Sequence, residues 1–366
     1  MTTSAYERYR QTRFFSSLNG LRALSIVAVI WHHNAAGGSA YAILREGNQG
    51  VSLFFVISGF LIVTLLLREK ARFGSFSLVA FWGRRSLRIL PVYYAVLGLY
   101  VVVVFFLEHD AGARRDFFGN LPAFATFTSN WFVHLDGPRV IFYFAWSLAA
   151  EEQFYLIWPW FERFLRGVWP LVVALGLLLV TQGVSLAIFP QNPFEQSLSV
   201  RMITSVPAAI LLGVVLAHLL HAPATFRFWE AVAGRRGSAS AAFLLTLTAL
   251  TIRSRLGPIG DLVVALAMML LVTACVIRED NDLSRLLTTR WVSWIGKISY
   301  AMYLVHMLSV NQVRHALARI HLASPFFDFI GGTLLAAGLA SLSYLFFESR
   351  FLRLKNRLFR EGTRSA

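Results

Sequence analysis

The chain has 366 residues and a formal net charge of +15; 57% of its residues are hydrophobic and 14% are charged. A soluble domain of this size could not bury so much apolar surface, so the composition excludes an ordinary water-soluble protein. The 34 Lys and Arg residues separate long apolar runs and form no continuous basic stripe, which argues against nucleic-acid binding. The single cysteine, Cys275, excludes an intramolecular disulfide and a cysteine-based zinc site.

Apolar windows long enough to cross a bilayer core as helices recur throughout the chain. They predict an all-α, polytopic integral membrane protein of about ten transmembrane helices. The predicted spans are residues 17–36, 50–68, 88–107, 145–163, 168–189, 203–221, 238–253, 260–277, 292–313 and 326–348. Residues 117–134 are aromatic but broken by Pro122, and they predict an interfacial or re-entrant segment.

The distribution of positive charge predicts the orientation. Most Lys and Arg residues fall in alternate loops, and cytoplasmic loops keep positive charge during insertion, so both termini are expected in the cytoplasm. The predicted organisation is a cytoplasmic tail at residues 1–16, a transmembrane domain at 17–348 and a basic cytoplasmic tail at 349–366. The last segment is expected to lie on anionic membrane lipid.

The first span carries ionisable residues, which are costly in lipid unless they face a cavity or a partner. On a helix, Arg22 and His33 are about 20° out of register and about 16 Å apart along the axis, so they share one face. His32 points about 80° away. We expect Arg22 and His33 to line one cavity; the alternative is that Arg22 extends to the interface and His33 ends the helix.

Arg84, Arg85 and Arg88 form a second cluster, just before the third span on its predicted cytoplasmic side. Arg85 and Arg88 are three residues apart on one helix face, a spacing that suits two guanidinium groups gripping phosphates. Anchoring by the positive-inside rule explains the same residues.

Ser147 and Glu151 are four residues apart at the head of the fourth span. A glutamate in this position can orient or deprotonate an imidazole, or it can be solvated at the membrane boundary.

The second and ninth spans carry small and polar residues. Ser299, Tyr303 and His306 share one face of the ninth span, with Tyr300 adjacent, and such residues also join helices to one another. In the second span Gly59 and its small neighbours favour close helix packing over chemistry.

The residues of these segments and their order along the chain resemble the motifs of the membrane acyltransferase-3 family over almost the whole chain. The family's opening segment has an Arg separated by ten residues from a His, as Arg22 and His33 are here. The matching segments are LNGLRALSIVAVIWHH, GVSLFFVISGFLI, RRSLRILPVYY, WSLAAEEQFY, KISYAMYLVH and FESRFLRL.

That family contains O-acetyltransferases of surface polysaccharides, lipopolysaccharide, peptidoglycan and nodulation oligosaccharides, and macrolide acyltransferases. The resemblance implies a multi-pass enzyme of the cell membrane, of the bacterial inner membrane in particular. It implies acetyl-CoA or another acyl-CoA as donor, and a hydroxyl of a glycan or lipid-linked saccharide as acceptor. The alternatives are a small acceptor such as a macrolide, a secondary transporter, whose paired interrupted helices are not evident, and a scaffolding protein.

The resemblance also suggests roles for individual residues. His33 is expected to be a general base or a transient acyl carrier, Glu151 to hold its imidazole, and Arg22 to steer the pantetheine or a phosphate. The adenosine phosphates are expected to meet Arg84, Arg85 and Arg88. Residues expected to contact the substrates are Ser52, Ser147, Ser299, Tyr300, Tyr303 and His306.

The chain departs from the family pattern in two respects. Ser52 stands where the family usually has Asp in a Gly-Val-Asp motif, and a hydroxyl cannot carry that negative charge. Some relatives carry an appended hydrolase-like domain outside the membrane, whereas this chain ends at Ala366, so transfer is expected to finish in the helical domain or on a separate partner. No metal-ligand pattern is evident, and the sequence does not indicate an oligomeric state.

Overall fold

The protein is helical, and no strand occurs in the ranges that the computed structural model describes, which are residues 4–35, 42–134, 139–189, 191 and 196–359. The all-α prediction is confirmed. The α-helices in these ranges are α1 Ala5–Gln11, α2 Ser16–Ala35, α3 Ala42–Arg45, α4 Gly50–Phe73, α5 Leu78–Leu107, α6 Ala111–Ala125, α7 Ser129–Phe132, α8 Ala145–Phe164, α9 Trp169–Ile188, α10 Leu198–Thr204, α11 Ala208–His221, α12 Pro223–Ala233, α13 Ser238–Ile252, α14 Gly260–Ile277, α15 Ser284–Leu287, α16 Arg290–Arg319, α17 Pro325–Leu342 and α18 Ser349–Leu358.

Each predicted span coincides with one helix or with the bent pair α10–α11. By length and apolar composition, five helical segments of the described chain can cross a membrane, or up to seven if each of two bent pairs is one span. The helix α8 falls short because it carries Glu151, Glu152 and Glu162, and α16 falls short because polar and charged residues such as Lys297 and His306 interrupt its apolar run. The count of ten and the cytoplasmic placement of the termini therefore stay predictions.

The helices α13 and α14 form an antiparallel hairpin. A 3₁₀ turn joins them, and it contains Gly257 with φ of 57°, a conformation that glycine adopts without a steric penalty. At the other end of the hairpin, the Ser240 amide donates to Asp282 Oδ2 at 2.8 Å. This reversal favours two separate spans here, as the sequence predicts.

Close packing of the second predicted span on another helix is confirmed. The helices α4 and α11 cross where Gly59 faces Gly213, and a Cβ added at Gly59 would lie 2.2 Å from the carbonyl oxygen of Ile210. A side chain at either glycine would push the helices apart, so this contact depends on residues without one.

The segments at the two ends pack on the helical body. A capping box formed by Ser4 and Glu7 starts α1, and the Tyr6 hydroxyl donates to the His221 carbonyl at 2.6 Å. The basic helix α18 packs along α5, where the ring of Phe359 fills the space beside Gly83. Residues 360–366 of the predicted basic tail lie outside the described residues.

The aromatic segment predicted to be interfacial or re-entrant contains the end of α6 and all of α7. Its backbone is tied to α5, because the Tyr93 hydroxyl donates to the Phe124 carbonyl at 2.7 Å. Asn130 and Gln153 exchange side-chain hydrogen bonds of 2.9 Å, which ties α7 to α8. The position of this segment relative to the membrane stays a prediction.

Candidate active site

A narrow cavity of about 40 Å³ lies between α2, α4, α8 and α16. Six of the twelve residues that the sequence predicts for the site line it. The lining residues are Arg22, Val51, Phe54, Phe55, Ser58, Ser147, Leu148, Glu151, Ser299, Tyr300 and Tyr303. We call this space the central cavity, and the end nearest His33 its outer end.

Two histidines are in contact just beyond the outer end. His33 Nδ1 lies 2.7 Å from His306 Nε2, and His306 Nδ1 lies 2.6 Å from the Tyr303 carbonyl oxygen. A carbonyl can only accept, so for neutral rings the His306 proton is on Nδ1, and its Nε2 accepts from the protonated Nδ1 of His33. His33 Nε2 is then left with a lone pair and has no hydrogen-bond partner among the described residues.

The neighbouring histidine points elsewhere, as helical geometry predicts. His32 Nδ1 lies 2.9 Å from the Arg45 carbonyl oxygen, on the side of α3. Only one of the two adjacent histidines therefore contacts His306.

A pair of hydroxyl groups separates the central cavity from the histidines. Ser147 Oγ and the Tyr303 hydroxyl are 2.6 Å apart, and the tyrosine also donates to the Phe144 carbonyl at 3.0 Å. The Tyr303 ring packs against His306, with centroids 5.5 Å apart. Both hydroxyls line the cavity, so a group bound there would reach them before it reached His33.

Glu151 lies lower in the central cavity and does not contact His33. Its Oε1 accepts from Ser58 Oγ at 2.5 Å and from the Tyr155 hydroxyl. The sequence predicts that Glu151 holds the His33 imidazole, but in the structure His306 is the residue that contacts His33 Nδ1. The reason is packing: α16 comes between the outer end of α2 and Glu151.

Arg22 faces the central cavity and forms no ion pair among the described residues. Its guanidinium lies over the Phe54 ring, 5.8 Å from the centroid, and its buried Nε has no hydrogen-bond partner in the described part of the chain. The nearby charges of Arg85 and Arg88 repel that of Arg22, while Glu151 attracts it. An arginine held in this way has unused donors for an anionic ligand.

The three arginines that precede the third predicted span are not equivalent. Arg84 forms a 2.9 Å ion pair with Glu69. Arg85 packs over the Tyr155 ring, and neither Arg85 nor Arg88 makes a hydrogen bond or ion pair among the described residues. These two remain the better candidates for binding phosphate.

The remaining predicted site residues have structural partners. Ser299 is fully buried and donates to the Gly296 carbonyl at 2.9 Å, and Tyr300 lies 3.4 Å from the Ile89 carbonyl; both also line the central cavity. Ser52 donates to Gln49 Oε1 at 2.7 Å and does not line it.

Sequence reasoning missed three residues of this site. Ser58 was assigned to helix packing, yet it contacts Glu151. Tyr155 follows Glu151 by one helical turn, a spacing that was a usable signal. Lys355 was assigned to lipid contact, but α18 brings its charge close to those of Arg85 and Arg88, and no local pattern predicts that approach.

Comparisons with known proteins identify the family and several relatives of this chain. A family model described as an acyltransferase domain matches residues 15–346. Peptidoglycan O-acetyltransferase OatA of Listeria monocytogenes is 30% identical over 327 residues, which cover 83% of this chain and 50% of the relative. A Staphylococcus aureus protein that is provisionally named an O-acetyltransferase is 26% identical over 374 residues, covering 95% of this chain and 59% of the relative.

A Bacillus subtilis protein, provisionally named a peptidoglycan O-acetyltransferase, is 26% identical over 338 residues, covering 82% of this chain and 49% of its own length. The chain thus spans about half the length of the curated relatives that it matches. No solved protein structure matches it. Because the family model covers residues 15–346, which is most of the sequence, the chain belongs to the acyltransferase-3 family.

Proposed function

We propose that the protein is a membrane O-acetyltransferase that transfers an acetyl group from acetyl-CoA to a hydroxyl of a glycan, with peptidoglycan as the first acceptor to test. The observation that carries the proposal is the central cavity itself. Its lining runs from Arg22, whose charge interacts with those of Arg85 and Arg88, to Ser147 and Tyr303, beyond which His33 and His306 are in contact. The names of the relatives support the acetyl group and the glycan acceptor.

The arginine end fits the donor. Arg85, Arg88 and Arg22 would bind the phosphates and the polar part of the pantetheine arm, since charge-assisted hydrogen bonds to phosphate are strong and none of these guanidinium groups forms an ion pair among the described residues. The acyl end of the donor then points along the cavity toward Ser147 and Tyr303.

The histidine end fits the chemistry. The acceptor hydroxyl gives its proton to His33 Nε2 while its oxygen bonds to the thioester carbonyl carbon. The carbon–sulfur bond breaks, and the departing thiolate takes the proton back from His33, so the products are an ester and free CoA. Ser147 and Tyr303 would stabilise the carbonyl oxygen as it becomes negative by turning toward it the hydroxyl protons that now go to the Phe144 carbonyl or to each other.

A second route uses the same atom. His33 Nε2 attacks the thioester carbonyl carbon, the carbon–sulfur bond breaks, and the thiolate leaves an acyl-imidazolium behind. The acceptor hydroxyl then displaces the imidazole from the acyl group, and its proton neutralises the thiolate, so the products are again an ester and free CoA. Acid quench followed by mass spectrometry separates the two routes, because only the second leaves an acetyl group on the peptide that contains His33.

Acetyl release tests the function. Purified protein in detergent, given acetyl-CoA and peptidoglycan fragments, is expected to release free thiol and to form an alkali-labile acetyl ester on the fragments. Without fragments, slow thiol release to water is expected. Folded protein that binds acetyl-CoA but releases no thiol under either condition would contradict the assignment.

A further inference from the structure

A second cavity, of about 200 Å³, lies at the predicted cytoplasmic end of α4, α8 and α11. It shares no lining residue with the central cavity. We call it the inner-leaflet cavity, and its polar lining residues are Lys70, Glu162, His218 and His221. Nothing in the proposed acetyl transfer uses these groups.

Glu162 lines this cavity, and its buried carboxylate has an unused oxygen. Glu162 is 1% exposed, and its Oε1 accepts from Trp158 Nε1 and His218 Nε2, each at 2.9 Å. Its Oε2 is buried and has no hydrogen-bond partner among the described residues. An unpaired buried carboxylate oxygen costs free energy, and a ligand that donates a hydrogen bond or brings a positive charge would remove that cost.

The lysine in the cavity leaves the carboxylate available. Lys70 Nζ donates to the carbonyl oxygens of Glu162 and Leu165, at 2.7 and 3.2 Å, and these are unsatisfied groups at the end of α8. One of its three protons remains for a ligand. The cavity therefore presents a buried negative group and a positive group to one bound molecule.

The rim adds positive charge and apolar surface. Arg72 directly follows the lining residue Ala71, and Arg166 directly precedes the lining residue Gly167. Both arginines are exposed. Large apolar side chains also lie outward here: Phe164 is 65% exposed and Trp169 is 60% exposed. Exposed aromatic and basic residues together are typical of a membrane interface.

We propose that the inner-leaflet cavity binds the phosphoethanolamine headgroup of a membrane lipid. The primary ammonium donates to Glu162 Oε2, the phosphate meets Lys70 and the basic rim, and the acyl chains lie along the exposed apolar face of α9. Soluble phosphoethanolamine offers the same polar groups without the chains, and the apolar rim favours the lipid.

A headgroup series tests this site on the intact wild-type protein. Protein in nanodiscs of mixed phosphatidylethanolamine and phosphatidylcholine is extracted gently, and the retained lipids are counted by native mass spectrometry. We expect about tenfold enrichment of the ethanolamine lipid, the size of one charge-assisted hydrogen bond. Retention should fall stepwise through the monomethyl and dimethyl lipids, because each methyl group removes an N–H donor.

The matched variants are Glu162→Gln and Glu279→Gln, which remove the same charge from the cavity and from an exposed loop on the same predicted side. The first should lose the enrichment and the second should keep it. Equal retention of ethanolamine and choline lipids by the wild type would overturn the proposal, as would full enrichment in folded Glu162→Gln protein. Soluble phosphoethanolamine that displaces the lipid at equal concentration would overturn the role of the acyl chains.

Discussion

The side chains at the two ends of the central cavity interact in opposite ways. At the outer end, His33 and His306 form a continuous hydrogen-bonded chain that ends on the Tyr303 carbonyl. At the opposite end, the arginine end, which we also call the inner end, the charges of Arg22, Arg85 and Arg88 repel one another. Glu151 attracts Arg22 and also accepts hydrogen bonds from Ser58 and Tyr155.

This difference separates the two tasks of a transferase. A satisfied hydrogen-bond chain fixes a reactive group in one tautomer before the substrate arrives. A cluster of unpaired cations is costly until an anion neutralises it, so its interaction energy becomes available on binding. Changes at the outer end should therefore alter turnover, and changes at the inner end should alter donor affinity.

The largest expected effect is on turnover at the outer end. His33→Ala should lower kcat by roughly 100-fold or more, the usual loss for a general base, while the dissociation constant for acetyl-CoA stays nearly unchanged. His33→Asn should not restore activity, since an amide cannot take up a proton. The control is His32→Ala, whose imidazole faces Arg45 and should cost much less; equal losses in both variants, with lower melting temperatures, would assign His33 to packing.

The next effect is on donor affinity at the inner end. Arg85→Ala combined with Arg88→Ala should weaken acetyl-CoA binding by about tenfold for each lost phosphate contact, with kcat at saturation much less affected. Arg84→Ala is the matched control, because Arg84 already pairs with Glu69. Unchanged donor affinity in the folded double variant would show that Arg85 and Arg88 serve membrane anchoring and do not bind the donor.

A smaller effect is expected for the partner of His33. His306→Ala should lower kcat by about tenfold, because the Nδ1–H of His33 loses its acceptor and the ring its fixed orientation, while KM for acetyl-CoA changes little. His306→Gln should recover part of the loss, since its amide oxygen can accept the same proton. No difference between the two variants would mean that His306 acts by volume alone.

The smallest expected effect is at Lys355, which α18 brings toward the arginine end. Lys355→Ala should weaken binding of acetyl-CoA by about threefold at low salt, and the difference should shrink at high salt, as it does for partly exposed charges. Arg357→Ala, two residues further along α18, is the control. The same loss in both variants would indicate a general charge effect of the helix.

The sequence was sufficient to locate the helices. Bilayer thickness sets the length of an apolar span, so the spans predicted from hydropathy coincide with α2, α4 and later helices. The helical period also correctly turned His32 away from His33. Both inferences involve only residues close together in the chain.

Contacts between helices were harder to predict from the sequence. Nothing in the spacing of His33 and His306, which are 273 positions apart, indicates that their rings meet, and Glu151 appeared the better partner for His33. Lys355 was missed for the same reason. The rotation and depth of each helix in the bundle decide such contacts, and they follow from side-chain packing across the whole molecule.

The separation of the two ends is tested most directly by supplying the donor from one side. The protein is reconstituted in vesicles whose orientation is checked by protease access to the segment after α18, and acetyl-CoA is added outside while thiol release is measured. We expect release only when the face carrying Arg84, Arg85 and Arg88 is outward. Release only from the opposite orientation, where the His33 end is outward, would contradict binding of the donor at the arginine end.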